Sequence, residues 1–264
     1  MPIFSIVILI FVFFFSFLGP FFYHISPYDL NSSMILSPPS LEHLLGTDRL
    51  GRDLLARLMQ GGEVSLIIGV GSAFISSVIG LLFGSMAGYF RGNTDKAFII
   101  IVDLFLTFPT FFLLLALVSY VNASVWVLIV IISITGWMTT ARLVRSESFK
   151  ITSEPYIKIL NIAKLSKIKI LFKYYAPLLA PIYFVSFTFG VGGAILAESG
   201  LSFLGLGIVA PQISWGQIIS GGKEVIEIAW WVSFFPGLMI FLVTFSLINI
   251  SNYLQQITNK KEIL

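Results

Sequence analysis

The chain has 264 residues, of which 57% are hydrophobic and only 11% charged, with 26 phenylalanines and a mean hydropathy of +0.95. That composition excludes an ordinary soluble domain, in which about a quarter of the residues are charged. Cysteine is absent, which excludes disulfides, thiolate metal sites and cysteine nucleophiles; the net charge of +3 is small, and its distribution carries the information.

Crossing a hydrocarbon core about 30 Å thick takes about 20 apolar residues in a helix. Runs of that kind predict an all-α polytopic membrane protein with six spans, at 3–23, 64–89, 97–121, 125–141, 177–197 and 229–250. The first run lacks a basic flank and a small-x-small cleavage site, so it reads as a retained anchor helix and not as a secretion signal. Segment 43–62, HLLGTDRLGRDLLARLMQGG, predicts a short amphipathic helix before the second span. Thr47 is its expected N-cap, and Leu50, Leu54, Leu55, Leu58 and Met59 form its apolar face. Arg49–Asp53 and Asp53–Arg57 have the spacing of i,i+4 ion pairs, and Gly61–Gly62 is the expected stop.

In the second span Ser72, Ser76, Gly80, Gly84 and Gly88 recur every four residues. That spacing makes a stripe of small side chains on which another helix can pack closely. The third span carries Asp103, read either as a pore-facing acid or as a partner of Arg91 or Lys96, since a carboxylate inside a span is costly. Pro109 predicts a kink in the same span.

A loop at about 142–176 follows the fourth span, and its stretch KILNIAKLSKIKILFKYYAP holds five lysines in twenty residues. On a helical wheel Lys164 and Lys167 fall far from Lys169 and Lys173, which predicts two short helices turning near Leu165–Ser166. Such a shape suits a docking knob better than a helix lying flat on lipid. Segment 198–228 is too apolar for a solvated linker and too interrupted by Gly and Pro for a span. Apolar backbone of that kind survives at membrane depth only where protein or water covers it, so a re-entrant element near a translocation path is expected.

Basic residues orient the spans. One set of loops and the tail hold twelve: Arg91, Lys96, Arg142, Arg145, Lys150, Lys158, Lys164, Lys167, Lys169, Lys173, Lys260 and Lys261. The other set holds four, Arg49, Arg52, Arg57 and Lys223. Both termini and the lysine-rich loop are therefore expected in the cytoplasm, where the lysines also meet anionic lipid.

No catalytic set emerges. GQIISGGKE, at 216–224, fails the phosphate-loop pattern, which needs Gly at Gln217 and Ser or Thr at Glu224. The two histidines, His24 and His43, are nineteen residues apart and read as structural, and no metal site is expected. Nothing points to nucleic acid, and a membrane-embedded hydrolase lacks a Ser/His/Asp grouping. A transporter of this composition draws its energy from another subunit or from an ion gradient. A gradient-driven transporter or channel acting alone predicts paired intramembrane charges, inverted repeats or a broken helix at the midplane.

Several segments together resemble a known family. HLLGTDRLGRDLLARLMQGGEVSLIIGV is similar to its opening signature, and GYFRGNTDK, VDLFLTFPTFFLLLALV and GWMTTARLVRSESF follow in family order. ESGLSFLGLGIVAPQISWG is the most specific match, and FFPGLMIFLVTFSLINI closes the last span. The chain resembles, over about 43–249, the second permease subunit of bacterial ATP-binding-cassette (ABC) importers for dipeptides, oligopeptides and nickel.

The resemblance implies an anchor helix and connector at 1–62, a permease domain at 63–250 and a tail at 251–264. It implies partners as well: a homologous permease, two cytoplasmic ATPases that carry the ATP and magnesium, and an external solute-binding protein. The chain itself would hold no cofactor. The segment that meets the ATPase falls on Tyr156, Lys158, Ile159, Leu160, Lys164, Ser166, Lys167, Tyr174 and Pro177.

Here the chain departs from the family pattern. Glu-Ala-Ala becomes Lys158, Ile159 and Leu160, the family glycine becomes Lys164, the family histidine becomes Tyr174, and Gly-Asp-Gly-Leu-Arg-Asp becomes residues 251–256, SNYLQQ. Lysine in place of glycine predicts that the tight turn is lost unless a right-handed backbone can build it. An external gate or binding-protein side is implied at Glu198, Ser202, Leu204, Gly205, Gly207 and Trp215.

Overall fold

The computed structural model describes residues 2–261; Met1, residues 262–264, and the side chains of Asn161, Asn259, Lys260 and Lys261 lie outside what is described. Eleven α-helices are found among the described residues, and no strand. They are α1 (Ile3–Phe17), α2 (Gly19–Phe22), α3 (Leu54–Phe90), α4 (Gly92–Leu106), α5 (Thr110–Val118), α6 (Val125–Ser153), α7 (Pro155–Ile162), α8 (Lys167–Ile170), α9 (Ala176–Phe203), α10 (Trp215–Gly222) and α11 (Trp231–Lys261). A π-helical turn, Leu171–Tyr175, joins α8 to α9, so 167–203 is one continuous rod.

Among the described residues four helices are long and apolar enough to cross a membrane: α3, α6, the rod and α11. A fifth span exists if α4 and α5 are counted together, and they are bent by 77°. The break falls at Pro109, which caps α5 and cannot continue the ladder of α4 because it has no N–H. The first of the six expected spans is the exception. Its helix α1 has only 15 residues, about 22 Å at 1.5 Å per residue, and Leu18 separates it from α2.

α3 is the central strut, 37 residues or about 55 Å long. The expected short helix over 43–62 is not a separate element. Gly61 and Gly62 lie inside α3, where Ser16 and Trp215 press too closely on Gly62 for a Cβ and Ser214 packs tightly on Gly61. The N-cap is Asp53, whose carboxylate accepts from the Ala56 N–H at 2.8 Å. Thr47 serves the connector instead, accepting from the Ser37 N–H at 2.9 Å. Neither expected ion pair forms, because each charged group finds a tertiary partner. Asp53 takes Tyr23 Oη at 3.0 Å and His43 Nδ1 at 2.8 Å, Arg49 pairs with Glu224, and Arg52 and Arg57 both turn to Asp48.

The small-residue stripe of α3 lies against α6. A Cβ on Gly80 would stand 2.7 Å from Thr140 Cβ, one on Gly84 2.5 Å from the Ala141 carbonyl, and one on Gly88 2.3 Å from Ser148 Cβ. Ser76 is buried in the same seam, and Ser133 Oγ donates to the Ser72 carbonyl at 3.2 Å. Backbones this close maximise dispersion contact, the main source of helix association in lipid. α9 packs on another face of the strut, with Ile195 seated on Gly69, and α11 packs on α9, α10 and α1.

Candidate functional site

At the end of α6 the chain builds a knob. α6 continues well beyond the expected 141 and carries Arg142, Arg145 and Lys150 as helix residues. Arg145 clamps Asp95 at the start of α4, with Nη2 to Oδ2 at 2.8 Å. Arg91 donates to the Phe149 carbonyl and to Ser153 Oγ, both at 3.0 Å. Asp103 therefore pairs with Arg142 and not with Arg91 or Lys96, which start a turn or more away along α4.

α7 and α8 fold back on this platform. Ile157, Ile170 and Tyr175 are fully buried against Tyr89, Val144, Ile151 and Leu179, and the Tyr175 hydroxyl bonds Thr152. The other side of the knob is open: all five lysines are exposed, and so are Ile159, Ile162, Ile168 and Phe172, at 63–80%. Exposed apolar side chains interleaved with cations mark a surface for a partner, not a solvated face. Burial, and secondarily Glu154, push the Tyr156 phenol above its ordinary value.

The turn between α7 and α8 is kept despite the lysine. Lys164 adopts φ +57°, the left-handed region that glycine fills without strain. The Leu165 N–H bonds back to the Leu160 carbonyl at 3.3 Å and the Ala163 N–H to Ile159 at 2.9 Å, which closes α7 as a left-handed C-terminal cap. Leu160 and Leu165 both join the apolar seam below. Ser166 then caps α8 through the Lys169 N–H.

Midway along α3 a cavity of about 510 Å³ opens between α3, α5, α6, α9 and the end of α11. Ser72, Ser76, Thr110, Thr135, Thr139, Thr140, Ser186 and Gln255 supply its polar lining, with Phe189, Gly190, Gly193 and Ala197 along α9. Its size is that of a small-ligand pocket, and no ionisable side chain lines it. Ser72 and Ser76 thus serve the α6 seam and the cavity together, whereas Asp103 lies outside the cavity. The six polar residues beyond Ser72 and Ser76 escaped the sequence reading; the hydroxyl repeat Thr135, Thr139, Thr140 on α6 was the available signal.

At the opposite end from the knob, Glu198 is buried completely. Its Oε1 accepts from Ser202 Oγ and from Ser214 Oγ, both at 2.6 Å, and its Oε2 from Ser65 Oγ at 3.4 Å. Ser65 also receives the Trp215 N–H at 3.1 Å, and the Trp215 indole donates to the Leu58 carbonyl at 2.9 Å. One carboxyl thereby ties α3, α9 and the cap of α10 together. Of the residues expected on the external gate side, Glu198, Ser202, Gly207 and Trp215 are buried, and Leu204 and Gly205 face outward. α9 runs to Phe203 and carries Glu198 inside the bundle. The segment expected to be re-entrant holds α10, whose Trp215, Gly216 and Ile218 are covered by protein.

Long apolar helices around a hydroxyl-lined cavity, latched at one end and carrying an exposed knob at the other, define a polytopic membrane transport subunit. The family of binding-protein-dependent transport system inner membrane components matches residues 80–261, and the chain belongs to it. The chain is 32% identical over 243 residues to the oligopeptide transport system permease protein OppC of Haemophilus influenzae, covering 91% of this chain and 78% of that protein. It is 33% identical over 258 residues to the dipeptide transport system permease protein DppC of Bacillus subtilis, covering 96% and 80%. Among solved structures, an inward-facing conformation of the MetNI methionine ABC transporter matches with a TM-score of 0.58 at 18% identity, covering 75% of this chain and 95% of that one. That likeness is one of fold.

Proposed function

We propose that the chain is a permease subunit of an ATP-driven importer of peptides and supplies half of the translocation path. It pairs with a homologous permease, two cytoplasmic ATPases and an external solute-binding protein, and lies in membrane lipid with both termini and the knob in the cytoplasm. ATP and magnesium belong to the ATPases; this chain carries no catalytic group. The peptide assignment is supported by the oligopeptide and dipeptide relatives, and the orientation by the twelve basic residues on the knob side against four opposite.

One observation carries the mechanism. The rod 167–203 begins in the exposed face of the knob at Ile168 and Phe172, lines the cavity at Ser186, Gly190, Gly193 and Ala197, and ends at the Glu198 latch. Its 37 residues span about 55 Å. A push on Ile168 by a closing ATPase therefore moves the cavity wall and the far end together, as rigid-body gating requires. Thr110, Thr139 and Gln255, exposed on the cavity wall, offer hydrogen bonds to peptide groups of any side-chain identity, and the lysines steer the knob to an acidic cleft.

The bend at Pro109 and the Asp103–Arg142 pair are features that a gradient-driven transporter also predicts. The bend borders the cavity at Thr110, whereas Asp103 and Arg142 do not line it, and the family favours the importer. Co-purification with the products of the neighbouring genes tests the reading. ATPases and a second permease are expected to co-elute, and Ile168→Asp is expected to weaken the hold on the ATPases without releasing them; elution of the intact chain alone would overturn it.

A further inference from the structure

Arg49, Arg52, Arg57 and Lys223 converge on a cavity of about 540 Å³ at the α10 end, walled by the connector before α3, the 205–213 loop and α10. Only two acids, Asp48 and Glu224, share the lining, so the formal charge is two positive. Asp48 is committed. It grips Arg52 through Nε at 2.8 Å and Nη2 at 2.7 Å and lies 3.4 Å from Arg57 Nε. The Arg57 side chain is 5% exposed, and its Nε makes no hydrogen bond. Glu224 is different: its pair with Arg49 is exposed at 61% and 46%, so it contributes little and exchanges readily. Gln217 lines the same cavity with its buried Oε1 unpartnered, and its amide can be turned to present either a donor or an acceptor.

This cavity is not the hydroxyl-lined one. The two share no residue, and Ser202, on its wall, stands about half a turn of helix around α9 from Gly193. Its volume suits a group of a few residues, and guanidinium forks match a carboxylate in shape and charge.

We propose that this cavity is a carboxylate-binding site in which Glu224 is a built-in placeholder: an incoming peptidic carboxylate displaces Glu224 from Arg49 and takes Gln217 as a second contact. The group comes either from a peptide's C-terminus or from an acidic side chain. The site rests on its own geometry and does not depend on the importer reading, so a chain that binds no ATPase can still display it.

Because the chain has no cysteine, Ser220→Cys on the cavity wall gives a single attachment point for an environment-sensitive fluorophore in the full chain held in neutral-lipid nanodiscs. The probes are acetyl-Ala-Ala-Ala with a free C-terminus, acetyl-Ala-Glu-Ala-amide, and acetyl-Ala-Gln-Ala-amide as the uncharged control. Saturable response to either acid and none to the control is expected, and the acid that responds identifies the source. Glu224→Gln is expected to tighten binding about fivefold and Arg49→Gln to weaken it about tenfold; both residues are exposed, so the fold is kept. Equal response to all three probes, no response to any, or affinities unmoved by both variants would overturn the proposal.

Discussion

At the α10 end, three helices meet on the buried carboxyl of Glu198, and Gly62, Gly207 and Gly216 are packed too tightly for a Cβ around Trp215 and Ser202. At the knob end, α7 and α8 rest on an apolar seam and leave Ile159, Ile162, Ile168 and Phe172 uncovered. The first kind of packing is directional and intolerant, because a buried carboxyl without its hydroxyls is costly. The second is non-directional and leaves one face unused, which suits an element that must take up a partner's shape. The rod 167–203 joins the two, so one end anchors and the other receives.

Breaking the latch should have the largest effect. Glu198→Ala strands Ser202 and Ser214 and opens a void, and is expected to lose about 3 kcal/mol in detergent unfolding. A loss below about 1 kcal/mol would show that the latch holds nothing. The exposed knob should behave in the reverse way. Ile168→Asp is expected to change stability by less than about 0.5 kcal/mol while lowering ATPase turnover of the assembled complex about tenfold, equivalent to about 1.4 kcal/mol. Equal losses of stability and turnover would make the knob part of the core. The smallest effect sharpens the comparison at one backbone position. Lys164→Gly relieves a left-handed residue and is expected to raise stability by about 1 kcal/mol, with turnover kept because the turn geometry is already that of glycine.

Features set by local periodicity were legible in the sequence. The every-fourth-residue stripe of α3 and the break at Pro109 follow from helix geometry and from a missing N–H, and both stand in the fold. The two short helices about Leu165–Ser166 were readable because no single wheel gathers the lysines. What failed depended on distant partners. Thr47 looked like a cap, yet the connector's tertiary bonds pull it away and leave Asp53 to cap α3. Glu198 reads as the start of an external loop because two of its partners, Ser65 and Ser214, are 133 and 16 residues distant. Lys164 defeated the expectation that lysine avoids a left-handed turn, since the contacts of Leu160 and Leu165 offset the strain. The hydroxyl-lined cavity draws on five helices, and no one segment announces it.

On the proposed reading the knob receives the ATPase and the rod transmits its motion. The most direct measurement places the only cysteine of the chain at Ile168 and adds a short bifunctional cross-linker to the complex in membranes. A cross-link to the ATPase that changes in yield when ATP is added is predicted. An intact complex whose ATPase never cross-links to position 168, with or without ATP, would contradict the account.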